Sequence, residues 1–369
     1  KQGVERQKII LEAKSKILES FNTDFNDYNV FFIQDGALAN TFVIKSVVRK
    51  LKLKNKDFEI ITEKISCPSI MATMKDLEKE GVKVNYINVD SKGNIDLNHL
   101  KEIVNEKTAL VSITHVNHIL GTVQDIRKII EIIRKNSNAL IHLNAQWSYF
   151  KEEIDLKKLD IDFLTISAYK IHGPMISAIV SKNSADYWNI AFGRTFESLD
   201  KNYPNIPYIA GFKVAVEEKM ENYKEDNKKI KRLRDYLWKG IKDNIDEVEL
   251  LGPKLSENRD IANLLVLFKR LEGESIYYDL SFDNIIVSTT SACAHEQLQA
   301  NYVILSIGRK HEDSHGSLRF TLSKMNEKEE IDFLVEKLRA SVDRMRKITA
   351  YTPDYDYEKI KEKAKQRSK

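Results

Sequence analysis

The sequence predicts an α/β protein, with a large domain built on a mainly parallel sheet and a smaller α+β domain after it. Three observations carry this. Short apolar runs alternate with stretches of helical periodicity over the first two thirds of the chain. Strands separated by helices can pair in parallel, because each crossover needs a dozen or more residues. A long helical pattern at 211–243, with few breakers, then leads into a region of different texture. The expected division is 1–226 for the large domain and 227–369 for the small one with a charged tail.

The elements follow in order. Residues 5–18 place apolar side chains at helical spacing. A strand at 30–33 runs into Asp35-Gly36-Ala37, a loop opening a helix at 39–51. A strand at 58–61, a helix at 69–80 and a strand at 82–87 come next. Helices at 97–105 and 126–136 alternate with strands at 109–113 and 140–143. A strand at 161–166 begins after an Asp-rich turn. Beyond the 211–243 helix, strands are expected at 248–251, 262–268 and 285–287, and helices at 272–280 and 327–348. The segment 355–369 is dense in charge and reads as a solvated tail.

Composition narrows the class of function. A chain with 42% hydrophobic and 31% charged residues fits a globular protein. No run of about 18 apolar residues exists, so no membrane span is expected, and no secretory leader pattern is visible. Net charge is +4, from 59 basic and 55 acidic residues, a near balance that does not argue for nucleic acid, which prefers a clustered basic face. Only Cys67 and Cys293 are present. That count suits the cytoplasm or another reducing compartment rather than a disulfide framework.

Two segments carry the chemistry. Ser167-Ala168-Tyr169-Lys170-Ile171-His172-Gly173-Pro174 follows the strand at 161–166. In open α/β sheets ligands sit beyond the carboxyl ends of strands, and both Lys170 and Asn144 fall just after strands. A lysine there suits Schiff-base chemistry with an aldehyde cofactor. Ser291-Ala292-Cys293-Ala294-His295 follows the apolar run at 285–287. A cysteine in such a loop suits a nucleophile, which must be accessible and deprotonated when it attacks; a small buried hydrophobe is the ordinary alternative. His115, His118, Cys67 and His172 match no zinc spacing, so no metal is expected.

The chain resembles the cysteine desulfurases. The resemblance rests on Val111-Ser112-Ile113-Thr114-His115-Val116-Asn117, Gly121-Thr122-Val123-Gln124, Ile141-His142-Leu143-Asn144-Ala145-Gln146, Ser167-Ala168-Tyr169-Lys170, Ser291-Ala292-Cys293 and Gly316-Ser317-Leu318-Arg319-Phe320-Thr321-Leu322. These occur in the family's order between about Gly3 and Ile348. The resemblance implies the fold-type I pyridoxal-phosphate enzyme fold and a homodimer. It also implies a further N-terminal segment ahead of Lys1. It makes Lys170 the lysine that holds the cofactor, Cys293 the persulfide carrier and Arg319 the substrate carboxylate clamp, a task suited to a planar guanidinium. Gln146 becomes the partner of the ring hydroxyl and Ser167 a phosphate contact, although either also reads as an ordinary strand-end polar residue.

Several positions depart from the family. Asn144 stands for an aspartate that pairs with the pyridine nitrogen, and Tyr169 for a histidine. The phosphate loop Ser-Gly-Ala-Thr-Glu-Ala-Asn reads Gln34-Asp35-Gly36-Ala37-Leu38-Ala39-Asn40, which loses a hydroxyl at Ala37 and gains a carboxylate. Ser66-Cys67-Pro68 replaces Glu-His-Pro, whose histidine stacks on the ring. Asn117-His118-Ile119-Leu120-Gly121 replaces Asn-Asn-Glu-Ile-Gly, leaving Asn117 for cofactor and substrate and placing His118 beside it. Leu199 to Asn205 replaces the segment the neighbouring subunit contributes. The expected function is conversion of cysteine to alanine, with sulfur held for iron–sulfur cluster or tRNA thiolation and passed to an acceptor protein. The competing readings are a weakened or non-catalytic scaffold, and a lyase or aminotransferase without sulfur transfer.

Overall fold

The computed structural model describes residues 2–54, 56–184, 205–290 and 300–349. Its contacts divide into two units. The first comprises residues up to Lys224, except Asp90–Gly93 and Ile119–Thr122, which group with the second unit from Glu225 onward. The change falls inside one helix, Ile206–Asn244.

The first unit is a seven-stranded sheet. Its strands are β1 (Tyr28–Ile33), β2 (Glu59–Glu63), β3 (Lys83–Ile87), β4 (Thr108–Thr114), β5 (Leu140–Asn144), β6 (Phe163–Ser167) and β7 (Ser177–Lys182), in the order β1-β7-β6-β5-β4-β2-β3. Strands β3, β2, β4, β5 and β6 pair in parallel, and β7 runs antiparallel to both of its neighbours. The carboxyl ends of the other six strands therefore share one edge of the sheet. After β3 the chain returns to the far side of β2 to form β4, which is the switch point where open α/β sheets place their ligands.

Alternation along the strands builds the core. Ile61, Val111, Leu143, Leu164 and Val180 face one side, under the helices α1 (Gln2–Ser20), α4 (Leu97–Ile103) and α5 (Ile126–Asn136). Ile60, Leu110, Phe163 and Ile179 face the other, under α2 (Gly36–Leu53) and α3 (Pro68–Lys79). In α5, Ile126, Ile129, Ile130 and Ile133 recur at helical spacing and are buried. Each buried isoleucine contributes about 1.5–3 kcal/mol of transfer free energy. Asp125 caps this helix by accepting from the Lys128 amide at 3.3 Å, which adds about 1 kcal/mol.

The second unit holds a four-stranded antiparallel sheet of β8 (Val248–Leu250), β9 (Asn263–Phe268), β10 (Ser288–Thr289) and β11 (Ser317–Thr321), ordered β10-β11-β9-β8. Leu264, Val266 and Phe268 pack with Leu237 and Ile241 and with Leu338 and Val342 of the closing helix, Lys328–Ile348.

The sequence reading differs from the structure at several elements, the short helices Tyr302–Ser306 and His311–His315 among them. Residues 285–287 are not a strand, because a turn ending in Asn284 at φ 59° precedes them and Ile286 is 90% exposed. The strand begins at Ser288 instead. Strands β7 and β11 were not anticipated, since small and polar residues interrupt Ser177–Lys182 and Ser317–Thr321. Cys293 and residues 199–204 lie outside the described residues.

Candidate active site

Register sets the site at the carboxyl edge of the first sheet. Asn144, the last residue of β5, pairs with Thr114 on one side and Thr165 on the other. Ser167, ending β6, pairs with Ser177, which also pairs with Ile33 at the end of β1. The chain leaves β6 in a short 3₁₀ turn, Ala168–Ile171, that carries Lys170. Gly173 N donates to Ala168 O at 2.8 Å and Ala168 N to Ile176 O at 2.9 Å, closing the turn. His172 takes a left-handed conformation, φ 68°. A non-glycine residue pays for that geometry, and such costs concentrate at functional turns.

Lys170 is half-buried, and its Nζ stands 3.9 Å from the Trp147 ring centroid and 5.2 Å from that of Tyr169. An ammonium over an indole face is a cation–π contact. Lys151 Nζ lies 5.3 Å from the same indole. Tyr169 itself is 59% exposed. Trp147 was not singled out from the sequence, and nothing local to the chain gave it away.

Beside the lysine turn is a buried polar cluster. Cys67 precedes Pro68 at the start of α3 and is buried. Its Sγ accepts from Asn144 Nδ2 at 3.2 Å and from Asn40 Nδ2 at 3.5 Å, and lies 3.3 Å from Ser69 Oγ. Asn40 also donates to Ser69 Oγ at 3.0 Å and accepts from Thr165 Oγ1 at 2.7 Å. Burial pushes the Cys67 thiol pKa up, and the Ser69 hydroxyl opposes this. Asn117 is buried, with Nδ2 donating to Ile65 O at 2.8 Å. His118 follows it and is half-buried.

Behind Cys67 stands Glu63, the last residue of β2 and 1% exposed. Its Oε1 accepts from Thr114 N at 3.0 Å and Ser66 Oγ at 2.9 Å, and Oε2 accepts from Thr62 Oγ1 at 3.4 Å. Burial raises its pKa to about 7, against the pull of these donors. Sequence reasoning missed Glu63, Asn40, Ser69 and Thr165, whose roles appear only when four strands are brought side by side.

The start of α2 has a different character. Asp35 is the N-cap, exposed, and its carboxylate accepts from Leu38 N at 2.8 Å. That satisfies one of the helix's free amides with a negative charge. Gly36 is buried beneath Gln146, whose Nε2 donates to Gly36 O at 3.0 Å. A Cβ on Gly36 would sit 1.9 Å from Gln146 Oε1, so glycine permits this approach. Ala37 is exposed and brings no hydroxyl.

In the second unit, Arg319 lies on β11 between Leu265 of β9 and Ser288 of β10. Burial lowers the pKa of its guanidinium, against the raising effect of Asp260. Among the described residues no group of three His, Cys, Asp or Glu side chains is placed to hold a metal ion, and no helix is long and apolar enough to cross a membrane.

The chain is similar in sequence and fold to known proteins. The class-V aminotransferase family model matches residues 1–334. Cysteine desulfurase IscS of Clostridium botulinum is 35% identical over 351 residues, covering 95% of this chain and 87% of that protein. Cysteine desulfurase IscS 1 of Archaeoglobus fulgidus is 33% identical, covering 94% and 89%. A solved NifS-like protein superposes with a TM-score of 0.83 at 26% identity, over 93% of this chain and 90% of that one. The NifS-like protein of Rickettsia africae superposes with a TM-score of 0.81 at 23% identity, again over 93% and 90%. By sequence and by sheet topology, this chain belongs to the cysteine desulfurases of the class-V aminotransferase family, enzymes that use pyridoxal phosphate.

Proposed function

We propose that this chain is a pyridoxal-phosphate-dependent cysteine desulfurase with weakened cofactor retention. One observation carries the reading: Lys170 leaves β6 at the carboxyl edge where Asn144 ends β5, inside a chain of the desulfurase family. The donor set fits the cofactor at its ring end, where Lys170 stands over the Trp147 indole and the buried Asn144 amide ends the strand beside β6. It fits less well at the phosphate end, where Asp35 already caps α2.

Lys170 would hold the cofactor's aldehyde carbon and move a proton to and from the substrate's α-carbon. Asn144 would meet the pyridine nitrogen, with Cys67 beside it and Gln146 near the ring hydroxyl. Ser167, Tyr169, Gly36 and Ala37 would border the phosphate. Asn117 and His118 would border the ring, Asn117 would also meet the substrate, and Arg319 would fix the substrate carboxylate. When bound, the cofactor supplies an electron sink that eases loss of the α-proton and cleavage of the carbon–sulfur bond. The thiolate of Cys293 would take the sulfur as a persulfide, leaving alanine after protonation, and pass it to an acceptor for iron–sulfur cluster assembly or tRNA thiolation. A homodimer in a reducing compartment completes the reading.

The test is reconstitution with pyridoxal phosphate, borohydride reduction and peptide mapping, followed by incubation with cysteine. The expected result is label on Lys170, release of alanine and persulfide on Cys293. Label on another lysine, or alanine release without persulfide at Cys293, would overturn it. Asp35 at the α2 N-terminus favours one rival, a non-catalytic scaffold, which would stay colourless when cofactor is added.

A further inference from the structure

Asn144 is held from two sides, and its orientation follows from chemistry. One end of its amide faces Gln146 N at 3.3 Å and the other faces Cys67 Sγ at 3.2 Å. A backbone N–H only donates, so the end facing it is the oxygen. The nitrogen therefore faces the sulfur, which also accepts from Asn40 Nδ2 at 3.5 Å. Asn40 is itself oriented by the Thr165 hydroxyl, which donates to its oxygen at 2.7 Å. Turning Asn144 over would set donor against donor at Gln146.

The charge of the neighbourhood points the same way. The hydrogen-bond partners of Asn144 are a thiol and backbone groups. The carboxyl in this network, Glu63, is separated from Cys67 by Ser66 and Thr114. A buried cation without a counter-ion pays a large desolvation cost.

We propose that Asn144 presents an N–H donor, in place of a carboxylate acceptor, to a bound pyridine ring, so that the ring nitrogen is held unprotonated. This rests on the desulfurase reading, which sets residue 144 against that nitrogen. It assigns Asn144 a positioning and tuning role. The remaining Nδ2 proton is donated to the ring lone pair, and less electron density is drawn toward the nitrogen than by a pyridinium.

The experiment is ¹⁵N magnetic resonance of the full chain reconstituted with pyridoxal phosphate labelled at the ring nitrogen, alongside the Asn144→Asp variant. The native protein should show the resonance of an unprotonated pyridine across pH 6.5 to 8.5. The variant should show the displaced resonance of a pyridinium over the same range. A pyridinium resonance in the native protein overturns the inference and leaves the desulfurase reading standing. Absence of bound label, with Lys170 unmodified after borohydride, overturns both. If the variant does not fold, the native spectrum alone decides.

Discussion

Two carboxyl groups at the same edge of one sheet have opposite circumstances. Glu63 ends β2, is buried, and is surrounded by hydroxyls and amides without a cation among its hydrogen-bond partners. Asp35 follows β1, is exposed, and spends its charge on the first turn of α2. The first belongs to a neutral, fully wired cluster with Cys67 and Asn144. The second caps the first turn of α2. The contrast shows that burial at one strand end and helix capping at another set the surroundings of two carboxyls separately along one sheet edge.

The largest effects fall where neither end can compensate. Lys170→Ala should abolish covalent attachment of pyridoxal phosphate, read as complete loss of the borohydride-fixed label and of visible absorbance. Retention of the label at another lysine would place the cradle elsewhere in the fold. Cys293→Ser should abolish persulfide formation while leaving cofactor uptake at the native level, as measured by thiol mass spectrometry and absorbance. Equal persulfide in that variant, carried on Cys67, would join the ring-end cluster to sulfur transfer and break the division drawn above.

Glu63 tests the neutral end. Its pKa rises from 4.5 to about 7 on folding. Between those values the folded chain keeps a proton that the unfolded chain has released, so this group's contribution to stability is complete below pH 4.5 and declines as pH rises toward 7. The loss amounts to about 3 kcal/mol. Glu63→Gln keeps an oxygen for Thr114 N and Ser66 Oγ but cannot ionise. It should match the native chain near pH 4.5 and exceed it by about 3 kcal/mol above pH 7, in urea unfolding followed against pH. An unchanged difference across that range would show that Glu63 is ionised in the fold. The acid limb is separate. Burial lowers the pKa of His115 to about 4 and of His142 to about 3, so stability is lost there as pH falls below 6.5.

The fold was legible because its signals are local. Apolar alternation in 109–113 and the isoleucine stripe of 126–136 each announce their element without help from distant residues. Lys170 and Asn144 were legible for a related reason, since a strand followed by a polar residue marks the carboxyl edge. Strand β7 was missed because Ser177 and Ser181 interrupt its apolar run, and its burial between β1 and β6 is a property of the sheet. Glu63 and Trp147 were missed for the same cause. A glutamate ending a strand reads as solvated, and a tryptophan reads as core. Only the assembled edge buries the first and seats a lysine on the second.

The charged end makes the smallest and most specific prediction. A phosphate seated at the start of α2 would compete with the Asp35 carboxylate for the same amides and meet its negative charge. At about 4 Å and the screening of an exposed site, one such repulsion costs about 1–4 kcal/mol, and the lower part of that range corresponds to roughly tenfold in affinity. Asp35→Ser keeps a capping oxygen for Leu38 N, so α2 should lose little stability. It should raise affinity for pyridoxal phosphate about tenfold while leaving affinity for pyridoxal, which has no phosphate, within about twofold. Equilibrium dialysis with both compounds checks this. An equal gain for both would mean that Asp35 acts on the ring end after all. No gain for either would mean that the phosphate is seated away from α2, and that the two ends of this cradle are not the ends of one ligand.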